Sequence, residues 1–134
     1  MTAPTVFIVE DDPDTREMLG KFLELEGFHV ETAANGRQAL DRLSSGLKAS
    51  VIVLDLMMPI MDGWQFLGLL GNYLGLANIP VLIVSGHPVH LDRLTHQAIV
   101  GCLHPPYPLD ELVNVVSLYN APAASDSAPQ RSSG

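Results

Sequence analysis

The sequence predicts an α/β fold, a doubly wound sheet of five parallel strands with helices on both faces. Three observations predict it. Short apolar runs rich in β-branched residues, such as Val6-Phe7-Ile8-Val9 and Val51-Ile52-Val53-Leu54, read as strands buried on both sides. Helical patterns separate these runs, and strict alternation of strand and helix implies a parallel sheet. Two of the runs end on carboxylates, Glu10-Asp11-Asp12 and Asp55. In an open sheet, ligands bind beyond the carboxyl ends of the strands, where strand order reverses.

The elements follow in order. Strand one is 5–9. Asp12-Pro13 starts a helix, with an N-capping acid and then Pro at the first helical position. Met18, Phe22 and Leu25, with Leu19 and Leu23 beside them, supply its buried stripe, and Gly27 ends it. Strand two, 29–33, is the most polar and suits a sheet edge. Asn35-Gly36 opens the second helix, with Ala39, Leu40 and Leu43 inward and Gly46 near its end. Strand three is 51–54. Asp62-Gly63 opens the third helix, which reaches about Leu74. This helix carries no charge, and its surplus of apolar residues would suit either a partner or second copy, or a local cover by the loop 75–80. Strand four is 81–84, the fourth helix lies within 89–98, and strand five is 100–104. A fifth helix runs from near Leu109 to near Tyr119. Residues 1–120 form one domain. The tail 121–134, rich in Ala, Ser and Pro, is expected to be disordered.

Composition narrows the function. The 134 residues suit one domain, and 47% hydrophobic content is enough for a core. A formal charge of −8 argues against nucleic-acid binding. A lone cysteine, Cys102, excludes an internal disulfide and fits a reducing, cytoplasmic setting. No segment reads as a signal peptide, and none approaches the ~18 apolar residues of a membrane span.

The acids carry the chemistry. Carboxylates crowded at one sheet edge repel unless a cation compensates them. A hard divalent ion, Mg²⁺ first, suits one or two carboxylates plus phosphate oxygens. Asp12 and Asp62 read as helix caps rather than ligands. His87, His90, His96 and His104 lack the framing ligands of a metal site.

Read together, these residues resemble the receiver domain of two-component response regulators, over about Thr5 to Tyr119. The strongest segments are Val6–Pro13 and Val53-Leu54-Asp55-Leu56-Met57-Met58-Pro59-Ile60-Met61-Asp62-Gly63, followed by Ser85 closing Val81-Leu82-Ile83-Val84. The resemblance implies a flavodoxin-like sheet of order 2-1-3-4-5 with five helices. It implies that Asp55 accepts a phosphoryl group from a histidine kinase or phosphotransfer protein. Asp11 would bind Mg²⁺ directly, Glu10 would assist through water, and the Met57 carbonyl would be a further ligand. Ser85 would be the switch hydroxyl that hydrogen-bonds the phosphoryl oxygens. The domain would act on a downstream protein target, with homodimerisation as one route. Its own chemistry would be limited to Mg²⁺-assisted phosphorylation and slow dephosphorylation, so it is not an enzyme in the usual sense.

The sequence departs from the family at one end. The family places a Lys before a cis-Pro at the end of strand five. Here Leu103-His104-Pro105-Pro106-Tyr107 has Pro105 in the Lys position, and no Lys follows Lys48. Cys102 stands where the family often has an aromatic switch residue. His104 and Arg93 are candidate sources of positive charge. The departure favours a second reading, a degenerate receiver acting as a phosphorylation-independent interaction module. Other α/β enzymes fit less well. A haloacid-dehalogenase-type phosphatase would need an Asp at Met57, and a dinucleotide or flavin protein would need a phosphate cradle where Glu-Asp-Asp-Pro stands.

Overall fold

Five apolar runs become the sheet. β1 (Thr5–Val9), β2 (His29–Ala33), β3 (Val51–Asp55), β4 (Val81–Val84) and β5 (Ile99–Leu103) are all parallel, in the order β2-β1-β3-β4-β5. The computed structural model describes residues 5–56, 63–71, 78–85 and 99–119. Among these lie four helices, α1 (Pro13–Leu25), α2 (Gly36–Ser44), α3 (Gly63–Leu70) and α4 (Leu109–Tyr119). The helix expected within 89–98, the end of the third helix at Leu74 and the tail 121–134 lie outside the described residues. No helix among the described residues is long and apolar enough to cross a membrane.

Successive strand residues point to opposite faces, so one sheet builds two cores. Phe7, Val9, Ile52, Leu54, Val81 and Ile83 pack against Ala39, Leu40 and Leu43 of α2 and Phe66, Leu67 and Leu70 of α3. Val6, Ile8, Val51, Val53, Leu82 and Val84 pack against Leu19 and Leu23 of α1 and Leu112 and Val116 of α4. Each fully buried Leu, Ile or Phe contributes roughly 1.5–3 kcal/mol. This two-sided burial explains why the strand runs are apolar at every position rather than alternating.

The helix ends follow the turn chemistry. Asp12 accepts from the backbone N–H of Thr15 and caps α1, and Asn35 accepts from the N–H of Gln38 and caps α2. Gly27 (φ 98°) and Gly46 (φ 113°) take the left-handed conformation just beyond the two helices, where a side chain would be strained.

The stripe on α1 differs from expectation. Leu19, Gly20 and Leu23 are buried, whereas Met18 and Leu25 are 47% and 85% exposed and Phe22 is half-buried. Only a narrow seam of the helix is therefore covered. A Cβ on Gly20 would sit 3.7 Å from a methyl of Val30, which shows how near the helix backbone comes to β2. On α3, Phe66, Leu67 and Leu70 are buried and Trp64 packs against the same core; Leu69 is its exposed large apolar residue among those described.

The carboxyl edge is set by register. Val9 pairs with Leu54, and Asp55 pairs with Val84. One step beyond β1 therefore brings Glu10 level with Asp55, and Ser85 follows Val84, the residue that pairs with Asp55.

Candidate functional site

Three acids converge at this edge, each delivered by a strand end. Carboxylate oxygens of Glu10, Asp11 and Asp55 all lie within 4.8 Å of one another. The meeting point lies between β1 and β3. From β1 the order runs outward to β2 on one side and to β3 on the other, which is the topological switch point of this sheet. Glu10 is held there by its backbone, whose N–H donates to the Ala33 carbonyl at 3.1 Å. Its carboxylate in turn accepts from the N–H of Asp12 at 3.1 Å.

The electrostatics are strained by design of the sheet rather than by accident of one side chain. Glu10 is only 8% exposed. Its carboxyl is pushed from its ordinary 4.5 up to about 8. Burial is the main cause, the Asp12 N–H pulls the other way, and the neighbouring Asp55 and Asp11 push it further up. A group in this state holds a proton near neutral pH, and a cation would serve the same purpose. All the side-chain donors are hard carboxylate oxygens, the set that Mg²⁺ prefers. The residues therefore fit a divalent cation.

Ser85 follows β4 and is 2% exposed, with its N–H donating to the Leu103 carbonyl at 3.1 Å. The next strand thus ties the hydroxyl's backbone in position. Tyr107, which packs against the core cluster under α1, comes within electrostatic reach of Glu10. Burial raises its phenol first, and the Glu10 charge adds to that.

Of the residues singled out in the sequence, the fold brings Glu10, Asp11 and Asp55 together, and Ser85 stands one residue beyond Val84, the partner of Asp55 in β4. Met57, Asp62, His87, His90, Arg93 and His96 lie outside the described residues. His104 is exposed just beyond β5. Cys102 is half-buried at the edge of the α2/α3 core, and burial pushes its thiol up. The Pro105–Pro106 peptide bond is cis, as the resemblance implied.

One basic group at the site was not read from the sequence. Arg16 Nη1 donates to the carbonyl of Glu10 at 2.8 Å and to that of Asp11 at 3.4 Å. Helix side chains lean toward the N-terminus, so an Arg one turn past the Asp12 cap reaches back over the loop it follows. That spacing was the available signal.

Fold and site together define a class: a doubly wound α/β domain with an acidic cluster at its switch point. The comparisons with known proteins then assign the family. Residues 6–117 match the response regulator receiver domain, and the chain belongs to that family. It is 34% identical over 132 residues to the response regulator Rre1 of Synechocystis sp., covering 94% of this chain and 56% of that protein. It is 34% identical over 110 residues to a transcriptional regulatory protein CpxR homolog of Haemophilus influenzae, covering 81% of this chain and 46% of that one. The chain thus spans about half the length of these curated relatives. The crystal structure of response regulator protein TrrA from Thermotoga maritima in complex with Mg²⁺-BeF matches with a TM-score of 0.76 at 25% identity. That match covers 87% of this chain and 98% of the other. Receiver domains bind Mg²⁺ at an acidic pocket and interact with histidine kinases and downstream effectors.

Proposed function

We propose that this chain is a phosphoacceptor receiver in which Asp55 takes a phosphoryl group from a phosphohistidine on a partner kinase or phosphotransfer protein. The observation that carries the reading is the convergence of Glu10, Asp11 and Asp55 at the switch point. In the transfer, a carboxylate oxygen of Asp55 bonds to phosphorus. The P–N bond of the donor breaks, its electron pair stays on the imidazole, and an acyl phosphate forms on Asp55. Asp11 and Asp55, helped by Glu10, would hold Mg²⁺, which neutralises charge so that one anion can approach another. Ser85 would donate its hydroxyl to the phosphoryl oxygens, which add charge and strong acceptors to the pocket. The signal would then pass by protein–protein contact. The chain's own chemistry would end with slow hydrolysis of the acyl phosphate.

Pro105 supports a second reading, in which the domain signals without phosphorylation. Acetyl phosphate with Mg²⁺, followed by intact mass, separates the two. Gain of one phosphoryl group that Asp55→Asn abolishes supports the phosphoacceptor; no gain in the parent protein supports the interaction module.

A further inference from the structure

We propose that Arg16 is a positioning residue for the acidic cluster, acting through the backbone rather than by touching the cation or phosphoryl group. The inference rests on the metal reading above. The β1–α1 loop supplies two of the three converging carboxylates from consecutive residues, Glu10 and Asp11. Such a loop can rotate its peptide groups and spread the acids apart, which their mutual repulsion favours. Arg16 opposes this. A single guanidinium nitrogen bonds both carbonyls, one at 2.8 Å and one at 3.4 Å, and fixes which way the two peptides face. Arg16 is half-buried, and α1 holds it on a helix that the Asp12 cap and the Leu19 and Leu23 packing keep in place. Charge-assisted bonds of this kind are the stronger hydrogen bonds of a protein. On the other side, the Asp12 N–H bonds the Glu10 carboxylate. Backbone carbonyls are thus pulled toward Arg16 while the side chains are left to meet Asp55.

The sign of the effect separates positioning from simple charge. A cation near a cation site repels the incoming ion, so charge alone predicts tighter Mg²⁺ binding once Arg16 is removed. Positioning predicts weaker binding. Partners that orient metal ligands typically matter by about 10–100-fold in affinity.

The test is a Mg²⁺ titration followed by Trp64 fluorescence on the parent protein, Arg16→Met and Arg16→Lys. Arg16→Met keeps the aliphatic stem and removes the donor. We expect Arg16→Met to bind Mg²⁺ about tenfold more weakly and Arg16→Lys to recover most of that loss. Binding that is unchanged or tighter in Arg16→Met overturns the proposal. Amide hydrogen exchange without metal gives a second reading. Exchange at Asp11 and Asp12 should quicken in Arg16→Met and recover in Arg16→Lys; unchanged rates overturn the clamp. A parent protein indifferent to Mg²⁺ would sink the metal reading, and the metal-free exchange comparison would still decide the role of Arg16.

Discussion

The two sides of the sheet edge differ. On the β1–β3 side every apolar strand residue is buried, the acids are complete, and the loop is tied by Ala33, Asp12 and Arg16. On the β5 side every strand residue is half-exposed. The register with β4 slips between Val81 and Leu82, leaving Val100 as the extra residue. Gly101 sits where a Cβ would come within 3.3 Å of Leu82. This is also the side carrying Cys102 and Pro105. The contrast teaches that the converging acids stand at the end of the fully buried centre of the sheet. The residues read as departures from the family pattern, Cys102 and Pro105, lie on or just beyond the half-exposed strand.

The largest expected effect belongs to the centre. Phe7 is fully buried, and the Arg42 guanidinium lies 5.8 Å from its ring centroid. Phe7→Ala should lower stability by about 3–5 kcal/mol in urea unfolding. A loss near 1 kcal/mol would show the centre to be no firmer than the edge.

The next effect is a pH dependence seated on Glu10. Its carboxyl titrates near 8 in the folded chain and near its ordinary 4.5 when unfolded. Between these values the folded state holds a proton that the unfolded state has lost. Without metal, stability should therefore be fully present below pH 4.5 and fall as pH rises toward 8. Saturating Mg²⁺ should flatten the decline, and Glu10→Gln should remove most of it, as read by thermal melts across that range. A Glu10→Gln profile parallel to the parent's would move the cause elsewhere.

Restoring the family's cation sharpens the comparison from the other side. Pro105→Lys should raise the yield of phosphoryl incorporation from acetyl phosphate severalfold, followed by intact mass over time. An unchanged yield would show that this edge contributes little to holding the group. The smallest effect is expected at Cys102 of β5, which pairs with Ile83 of β4. Cys102→Ala should change stability by less than about 1 kcal/mol.

Much of this was legible in the chain. β1 and β4 begin and end at the residues where their apolar or β-branched runs do, and the more polar β2 keeps the bounds 29–33 expected of it. β3 extends one residue further, onto Asp55, because the ladder continues to Val84. β5 spans Ile99–Leu103 rather than 100–104: it starts early because Ile99 pairs with Val81 across the irregularity that admits Val100, and it ends where Leu103 pairs with Val84, the last residue of β4. The α1 seam was misread: helical periodicity allows several apolar faces, and only contact with the sheet chooses Leu19 and Leu23 over Met18 and Leu25.

Local patterning alone determined the strands, the helix caps and the placing of acids at strand ends, because period, capping and turn chemistry are properties of neighbouring residues. The meeting of Glu10 and Asp11 with Asp55, some 45 positions away, was decided by the register of β1 against β3. The lift in the Glu10 carboxyl and the reach of Arg16 onto the loop carbonyls were likewise decided by tertiary structure. Burial and charge proximity depend on distances through space, which exist only once the sheet has assembled.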